Sequence, residues 1–599
     1  MKKGFVSFLT VLIVISLLVT GCGTGKNNDT ASGKDTTSQA SSDKGSNPPE
    51  ATAAAGSNHF TLYYPETTTP IDLEGPITKE IMKESGIIWD EVSIGNGSDV
   101  AQQVNLKLAS GNLSDAITLN GASVVWSRLI NSKQLIPLDK YFEDEANYPN
   151  LSKIDKRILD YWRAEDGHIY FVPVQYEPLI EEPSEWQGNA QGLWVRQDLL
   201  KQTGMTYEDI RSLSGFESFL EKLKGTADSK GRKIIPLSMG QQNFAGINIV
   251  LSMFGVSKDW NELPDGKAVQ DYQLPGFKEA WKWLNKVYRN GLLDAETPYQ
   301  KKDLFLEKTN SLRFGAFLID SWDMPNGYVL KERGISESIS HGDLKKQGFP
   351  AEWYSATYLP VNSGVKPAQY ASFNPFGGNG TGIMKGCKSP DVLMKGLDWM
   401  QTPEAFRLME YGPESMGNYT LVDGVIQQHD EMFRSERFWG GTTPMKNVTE
   451  LGFWWWKNIA CVGSTHIPTM EPPWTAVNAE LYKAEQINHE QGTFGLISKA
   501  NRVKPIIGGS VEKYTSVQND IRLKYYAKMM MAKTDKDFDT AYNEFLNEMK
   551  VRGHDNETIE EFNKQYQDYS NTPAGKISVN VNRYLPRNVF SEKAEVIGK

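Results

Sequence analysis

The residue with the most distinctive chemistry near the amino terminus is a cysteine. Cys22 lies within the stretch LLVTGCGTGKNN of residues 17–28 and is the first of only three cysteines in 599 residues. A thiol at this position could be a structural residue, a reactive nucleophile or the acceptor of a covalent modification. The residues on either side of it bear on this choice.

The residues before Cys22 have the organisation of an export signal. Two lysines at positions 2 and 3 precede a largely apolar stretch, Phe5 to Thr20, which ends in small residues. This stretch is short for a permanent membrane span, which needs roughly 20 apolar residues. The motif VTGC at 19–22 resembles a bacterial lipobox. The resemblance implies a lipoprotein signal peptide over 1–21 and a lipid anchor on Cys22 at the extracellular face of the cell membrane; the alternative is a free cysteine near an ordinary cleavage site.

The residues after Cys22 cannot build a hydrophobic core. From Gly23 to about Ser57 the chain is rich in Gly, Ser, Thr, Asn, Asp and Lys and contains no aromatic residue. Such a segment buries too little apolar surface to offset its chain entropy. We therefore predict a disordered tether over 22–58, followed by an ordered part that is long enough for two or more lobes.

Charge and composition narrow the function classes. The formal net charge is −10, and an acidic chain without a basic patch is not expected to bind nucleic acid. The seven histidines lie far apart, and the sequence contains no HExxH, GxxxxGK[ST] or GxSxG motif. With 74 acidic residues, however, candidate carboxylate pairs for glycoside hydrolysis always exist. A secreted polysaccharide-degrading enzyme therefore stays open as an alternative.

The order of the predicted elements indicates an α/β fold. A strand near Phe60–Tyr64, a helix over Ile77–Ser85 and a strand over Asp115–Asn120 follow one another, as in a mainly parallel sheet covered by helices. Farther along, Phe277, Trp281, Leu284 and Tyr288 recur at helical spacing on one face. This pattern predicts that Trp281 is a core residue rather than a ligand contact.

Eight short stretches, in order along the chain, carry a family resemblance. They are ASGNLSDAI (109–117), QLIPLDKYF (134–142), DGHIYFVPV (166–174), GLWVRQDLL (192–200), YRNGLLDAE (288–296), RFGAFLIDSW (313–322), GIMKGCKSPDVLMKGLDWM (382–400) and YGPESMGNY (411–419). Together with the lipobox, they resemble the extracellular solute-binding proteins of family 1, and within them the large lipoproteins of carbohydrate ABC importers. The resemblance implies a two-lobed, periplasmic-binding-protein-like fold of type II, with a hinge and a central ligand cleft.

The resemblance also implies how the chain is divided and what it does. The expected parts are lobe 1 over 59–175 and 310–360, lobe 2 over 176–309 and 361–515, and a C-terminal helical segment over 516–599. The expected function is capture of an oligosaccharide without catalysis, followed by delivery to the permease subunits of an ABC transporter. A monomer without cofactor is expected.

The resemblance implies that ligand contacts lie at strand ends and helix starts that face the cleft, and seven residues are expected to be contacts on that basis, Glu414 and Tyr419 among them from the segment YGPESMGNY. Tyr64, Trp186 and Trp322 would stack on sugar rings, whereas Asn120, Gln242 and Glu414 would bind hydroxyl groups, and Tyr419 could do either. Their alternative roles are core packing or hinge support, and for Glu414 acceptance of a hydrogen bond at a helix end or at the hinge.

Departures from the family leave further questions open. Some relatives carry an acidic calcium loop where this chain reads GTADSKGRKIIPL (225–237), and here Asp228 is the only carboxylate. A divalent calcium ion needs six or more oxygen ligands, so no metal is predicted at this place. The residues Trp454 to Trp456 could cap the cleft or be buried in an insertion. Cys387 and Cys461 are expected to be unpaired buried thiols, with a disulfide as the alternative.

Two further functions stay open beside import and catalysis. The lipoprotein could deliver its ligand to a two-component sensor, or the solute could be a short peptide or an opine. A peptide site would need fixed charges for the two termini, and no clear Arg and Asp pair stands at the expected cleft positions.

Overall fold

The structure is a computed structural model. It describes residues 57–67, 72–95, 100–111, 113–121, 123–176, 179, 184–186, 191–227, 231–240, 244–319, 354–416, 419–422, 425–428, 476–506, 508–578 and 584–586. All of these belong to one compact unit that spans 56–599. The signal peptide, Cys22 and nearly all of the expected tether lie outside the described residues.

The described residues contain strands and helices in alternation. The strands are β1 (His59–Tyr64), β2 (Ile88–Ile94), β3 (Ala116–Asn120), β4 (Val172–Val174), β5 (Ser184–Trp186), β6 (Gly192–Arg196), β7 (Ile235–Ser238), β8 (Trp260–Glu262), β9 (Ala268–Gln270), β10 (Phe314–Ile319), β11 (Tyr354–Thr357), β12 (Ala371–Phe373), β13 (Asn379–Ile383), β14 (Tyr419–Val422), β15 (Val425–Gln428), β16 (Phe494–Leu496) and β17 (Tyr584–Pro586).

The α-helices surround two of the sheets that these strands form. They are α1 (Pro76–Ser85), α2 (Val100–Ser110), α3 (Val124–Asn131), α4 (Asp139–Glu143), α5 (Lys156–Trp162), α6 (Gln197–Gln202), α7 (Leu213–Lys224), α8 (Ile247–Met253), α9 (Pro275–Arg289), α10 (Lys302–Asn310), α11 (Pro390–Trp399), α12 (Pro403–Tyr411), α13 (Ala476–Gln491), α14 (Lys499–Arg502), α15 (Ser510–Met530), α16 (Asp535–Val551) and α17 (Asp555–Asn571). None of the helices in the described ranges is both long enough and apolar enough to cross a bilayer.

The first lobe is built on a five-stranded sheet in the order β2-β1-β3-β13-β4. β1 is parallel to β2 and β3, whereas β13 is antiparallel to β3 and β4. Every residue of β3 except Asn120 is buried, as expected for a strand covered on both faces. Inside this sheet, the buried hydroxyl groups of Thr118 and Thr381 form a hydrogen bond with each other, with 2.7 Å between the oxygens.

The second lobe is built on a four-stranded sheet in the order β11-β6-β10-β7. β10 is parallel to β7 and antiparallel to β6, and β11 is antiparallel to β6. Helices α9, α15 and α16 pack beside it through an aromatic cluster, in which Trp281 lies 4.2 Å from Tyr526 between ring centroids. Trp281 is fully buried, which confirms its predicted core role.

The observed lobes divide the chain differently from the sequence prediction. β10 and β11, within 310–360, pair with β6 and β7 and not with the strands of 59–175. Conversely, residues from Phe376 to Met409 belong to the core of the first lobe, because β13 inserts between β3 and β4. The segment after 516 is not separate, since α15 and α16 complete the second core and Ala574 and Ile577 join the first.

Two short strands connect the lobes. β12 lies between Leu359 of the second core and Phe376 of the first, and it pairs in parallel with β16. β16 follows α13, which packs against β11, and precedes Ile497, which packs against the first core. We call β12 and β16 the hinge strands.

Candidate functional site

Tyr64 and Asn120 end the neighbouring parallel strands β1 and β3 at the same edge of the first sheet. Tyr64 is 5% exposed and is part of the core, so it presents little surface to a ligand. Asn120 is exposed. The indole N–H of Trp126 donates to the carbonyl oxygen of Asn120 at 3.0 Å, which fixes the backbone at this point.

Glu66 is a site residue that the sequence reasoning missed. It lies two positions after Tyr64, and its Oε2 accepts a hydrogen bond from the backbone N–H of Asn120 at 2.7 Å. Desolvation raises the pKa of the Glu66 carboxyl, and the hydrogen bond from Asn120 opposes this rise. The motif YYPE after an apolar strand could have indicated an acidic group at this edge.

Trp162, which is 5% exposed, forms a buried aromatic wall that supports the end of β3. A Cβ at Gly121 would lie 2.2 Å from Cη2 of Trp162, so only glycine leaves room for this ring. The indole N–H of Trp162 donates to the carbonyl oxygen of Phe376 at 2.6 Å, and the ring of Tyr161 stacks on Phe376 with 4.1 Å between centroids. The wall is therefore held in one orientation.

Lys504 places a cation against this wall. Its Nζ donates to the carbonyl oxygen of Tyr161 at 2.9 Å and lies 4.6 Å from the ring centroid of Trp162 and 5.0 Å from that of Tyr161. The residue as a whole is exposed. Desolvation lowers the pKa of Lys504 to about 7.

An amide cluster lies at the corresponding edge of the second lobe. Nδ2 of Asn248 donates to Oε1 of Gln191 at 2.8 Å, and Nδ2 of Asn488 donates to the carbonyl oxygen of Gln191 at 2.8 Å. The hydroxyl group of Tyr370 donates to Oδ1 of Asn488. Gln191 immediately precedes β6, so these groups mark the point where the chain enters the second sheet.

The segment that contains β12 joins the two edges. Tyr370, at its start, contacts Gln191 of the second lobe, and Gly378, near its end, accepts a hydrogen bond from the backbone N–H of Gly121 at 2.9 Å. A ligand held between the lobes would therefore meet amide groups at both edges and the carboxylate of Glu66 at the first. Such groups bind sugar hydroxyls.

A cavity of about 500 Å³ lies beside the hinge strands. Its lining combines residues of the second lobe with residues of β12, of the turn after β16 and of α14, among them Asn248, Trp260, Ser372, Ile497 and Asn501. We call it the hinge cavity. Its volume is within the range of small-molecule sites, roughly 300 to 1,000 Å³.

Glu414 is the third predicted contact whose side chain the structure describes. It begins the short turn Glu414–Met416 after α12 and is exposed. Gly412, two positions earlier, lies against Ile77 near the start of α1. Because α1 follows β1, this turn lies toward the edge of the sheet where Tyr64 and Asn120 are found.

The other predicted contacts cannot be placed. Trp186 ends β5, which pairs with β17, and Tyr419 begins β14, but their side chains lie outside the described part of the structure. Gln242 and Trp322 lie outside the described ranges altogether, as do Asp228, Cys461 and Trp454 to Trp456.

Within the described residues, no group of three His, Cys, Asp or Glu side chains could hold a metal ion. Cys387 is an unpaired thiol, and burial raises its pKa to about 11. A thiol with this pKa is almost wholly protonated at neutral pH and is therefore a poor nucleophile.

Comparison with known proteins assigns the family. The model for bacterial extracellular solute-binding proteins matches residues 77–413. This chain belongs to that family. Solved structures of similar proteins show that its fold is the two-lobed, periplasmic-binding-protein-like fold of type II, which confirms the fold class predicted from the sequence.

Two curated relatives and one solved structure illustrate the similarity. The chain is 29% identical over 355 residues to the fructooligosaccharide ABC transporter substrate-binding protein FusA of Streptococcus pneumoniae and 22% identical over 230 residues to the polygalacturonan/rhamnogalacturonan-binding protein YtcQ of Bacillus subtilis. The matches cover 51% and 37% of this chain, and 62% and 42% of the relatives. FusA in complex with kestose superposes with a TM-score of 0.64 at 18% identity, over 86% of this chain and 99% of that structure.

Proposed function

We propose that this protein captures a carbohydrate, an oligosaccharide rather than a monosaccharide, outside the cell and delivers it to the permease of an ABC importer. The observation that carries the proposal is membership of the extracellular solute-binding family. The two relatives described above, FusA and YtcQ, are binding proteins for fructooligosaccharide and for polygalacturonan or rhamnogalacturonan. The chemistry at the lobe edges supports it, since Asn120 and Glu66 are exposed side chains of the types that bind sugar hydroxyls.

Capture requires no bond to be made or broken. A ligand that touches both lobes only when they approach each other shifts the open and closed populations by its differential affinity for the closed form. A shift from 1:99 to 99:1 needs about 5.5 kcal/mol of such preference. Several hydrogen bonds from sugar hydroxyls to the two edges, at about 1 kcal/mol each, are of a size that can supply it.

Lipid modification of Cys22 is part of the proposal. The motif VTGC and the polar residues that follow it support an anchor and a tether that leave the two lobes outside the membrane. Replacement of Cys22 by Ala is expected to release the protein from the membrane fraction into the culture medium. Retention of the variant in the membrane fraction would contradict a lipid anchor at this residue.

A thermal-shift screen of the mature chain carrying Cys22→Ala tests capture directly. Neutral oligosaccharides, acidic oligosaccharides, short peptides and metal ions are compared at equal concentration, and each ligand that raises the melting midpoint is then recovered and weighed by mass spectrometry. A ligand present at 100 times its Kd is expected to add about 2.7 kcal/mol of stability. Recovery of an intact oligosaccharide is the expected result.

Other outcomes of this screen distinguish the remaining functions. Recovery of shortened sugars would identify the protein as a polysaccharide-degrading enzyme. A melting midpoint that is raised only by peptides would identify it as a peptide-binding protein. Deletion of the permease genes separates import from sensing, because a sensor lipoprotein would retain its transcriptional response to the sugar whereas uptake through the proposed importer would stop.

A further inference from the structure

We infer that the hinge cavity binds a neutral sugar unit, with Trp260 as its aromatic surface and Asn501 and Asp259 as hydrogen-bonding groups. The inference rests on the proposed function and deepens it by naming a second contact region, beside the hinge strands and separate from Asn120 and Glu66. Three features of the cavity support it: the residues that line it, the rigid support of Trp260 and the charges around it.

Trp260 gives the hinge cavity an aromatic surface with a fixed orientation. Its ring stacks on Phe562 of α17 with 3.5 Å between centroids and an angle of 5° between planes. Phe562 therefore covers one face of the indole. The part of the Trp260 ring that Phe562 does not cover lines the cavity. The apolar face of a pyranose or furanose ring packs well on such a surface, because the indole loses no freedom when the sugar binds.

The loop that carries Trp260 is braced from within. Oδ1 of Asn261 accepts from the backbone N–H of Ser257 at 2.9 Å, and Nδ2 of Asn261 donates to the carbonyl oxygen of Ser257 at 2.8 Å. Asp259 adopts a φ of 66°, which is unusual for a residue other than glycine. Its backbone is held in this conformation by Asp271, whose Oδ2 accepts from the Asp259 N–H at 3.2 Å.

Unused hydrogen-bonding groups line the same cavity. Within the described residues, the indole N–H of Trp260, the side-chain amide of Asn501 and the hydroxyl group of Ser372 have no hydrogen-bond partner. The carboxylate of Asp259 is half exposed and lies 3.8 Å from Nζ of Lys258. These groups offer both donors and acceptors, as a ligand with several hydroxyl groups requires.

The charges around the hinge cavity favour a neutral ligand. Lys258 is balanced by Asp259, and Oε1 of Glu262 already accepts from the backbone N–H of Ala500 at 2.9 Å. An anionic sugar would meet two carboxylates and one ammonium group. A neutral sugar avoids this repulsion and can still use the carboxylate of Asp259 as an acceptor.

The position of the cavity couples its occupant to the hinge. The hydroxyl group of Ser257 donates to the carbonyl oxygen of Gln369 at 2.9 Å, and Nε2 of Gln369 donates to the carbonyl oxygens of Gly495 and Leu496 at 3.2 Å. The loop of the second lobe is thus tied to both hinge strands. A sugar unit in the cavity touches groups on the loop and on the hinge segments, so it favours the lobe orientation in which their spacing fits the sugar.

The sugar unit could be one end of the captured oligosaccharide or a free monosaccharide. Isothermal titration of the mature Cys22→Ala chain separates the two sources. The probes are the neutral oligosaccharide that gives the largest thermal shift, shorter and longer members of its series, and the monosaccharide of its terminal unit. Each probe is titrated into the parent chain and into versions of it that also carry Trp260→Ala, Asn501→Ala or Asn556→Ala.

Asn501→Ala and Trp260→Ala are expected to weaken binding about tenfold. If the cavity holds the end of the oligosaccharide, this loss appears for the longer members and is absent for the shortest. If it holds a free monosaccharide, the loss appears for the monosaccharide alone. Asn556→Ala, an exposed change on the helix that carries Phe562, is expected to leave every affinity unchanged.

Two results would overturn the inference in different ways. Equal affinities of the parent chain, Trp260→Ala and Asn501→Ala for every probe would exclude the hinge cavity while leaving oligosaccharide capture intact. Absence of any sugar binding by the parent chain would overturn the proposed function itself. Trp260→Ala also removes the contact with Phe562. If only this variant loses stability, the affinity of Asn501→Ala decides whether the hinge cavity binds the sugar unit.

Discussion

Arg522 and Asp271 form a buried ion pair that joins the long C-terminal helix α15 to the turn after β9. Nη1 of Arg522 lies 2.9 Å from Oδ1 and 3.1 Å from Oδ2 of Asp271, and both side chains are less than a tenth exposed. Nη2 of Arg522 also donates to Oε1 of Gln270 at 2.6 Å. Since Asp271 in turn holds the backbone of Asp259, the pair supports the wall of the hinge cavity.

Removal of one partner of this pair is expected to destabilise the protein strongly. Arg522→Met leaves the carboxylate of Asp271 buried without a cation, which typically costs about 3 to 5 kcal/mol. Urea unfolding followed by tryptophan fluorescence measures the loss as a lower midpoint. The matched control is Lys524→Met on the same helix, because Lys524 is exposed and lies 4.0 Å from Glu548, so its loss should cost under about 1 kcal/mol. Equal effects of the two changes would contradict a structural role for the pair.

Asn120 is expected to contribute to ligand affinity. Asn120→Ala removes an exposed amide at the edge where β1 and β3 end, and loss of one hydrogen bond of about 1 kcal/mol weakens binding about fivefold. Titration with the oligosaccharide identified in the screen measures this change. Asn131→Ala serves as the control, because Asn131 is exposed at the far end of α3, away from that edge. If both variants bind as tightly as the parent chain, Asn120 is not a ligand contact.

Gly121 is expected to tolerate no side chain. Gly121→Ala places a methyl group 2.2 Å from Trp162, whose indole N–H is fixed to Phe376, so the aromatic wall must shift. Overpacking of this kind costs about 1 to 3 kcal/mol, and ligand affinity should fall with it. Gly386→Ala is the control, since no atom lies within 4 Å of a Cβ there. A melting midpoint that is unchanged by Gly121→Ala would mean that Trp162 is free to move.

Lys504 is expected to make stability depend on pH. Its pKa is about 7 in the folded protein and 10.5 in the unfolded chain, so between these values the unfolded state binds more protons. The free energy of unfolding therefore gains a contribution that rises as pH rises from about 7 to about 10. Comparison with Lys504→Met isolates it, because all other titrating groups are shared. The free energy of unfolding of Lys504→Met should exceed that of the parent chain by the largest amount at pH 6.5, and the difference should shrink by pH 9.

Amine labelling gives an independent check of the same pKa. At pH 7.5, a lysine with a pKa near 7 is mostly uncharged and reacts faster than ordinary surface lysines such as Lys258, which is half exposed. Peptide mass spectrometry after brief acetylation measures the two rates in one sample. Equal rates at Lys504 and Lys258 would show that the ammonium group is not desolvated.

Local sequence patterns predicted the elements that depend on neighbouring residues. The helix expected over Ile77–Ser85 is α1, which begins at Pro76 and ends before Gly86 with a φ of 71°. The strand expected over Asp115–Asn120 is β3, and Tyr64 and Asn120 reach one edge because parallel strands align their ends. These features follow from periodicity, capping and the geometry of a parallel sheet, all of which act over short distances.

Features that depend on distant pairing could not be predicted. The lobe division failed because β13 pairs with β3 and β4 from far along the chain, and no local pattern records that pairing. Lys504 and Tyr161 are 343 positions apart, so their contact has no sequence signal. Tyr64 was chosen as a stacking residue, but its burial favours the core role that its position at a strand end left open.

The insertion of β13 between β3 and β4 sets the order in which the protein can fold. Synthesis delivers the amino-terminal strands first, yet the first sheet lacks β13 until residues 379–383 have been made. Until then, β3 has an open edge of unpaired backbone groups, which is the kind of surface that promotes aggregation. The first lobe is therefore discontinuous in sequence, and a chain that ends between β4 and β6 would lack the strand that fills the space between β3 and β4.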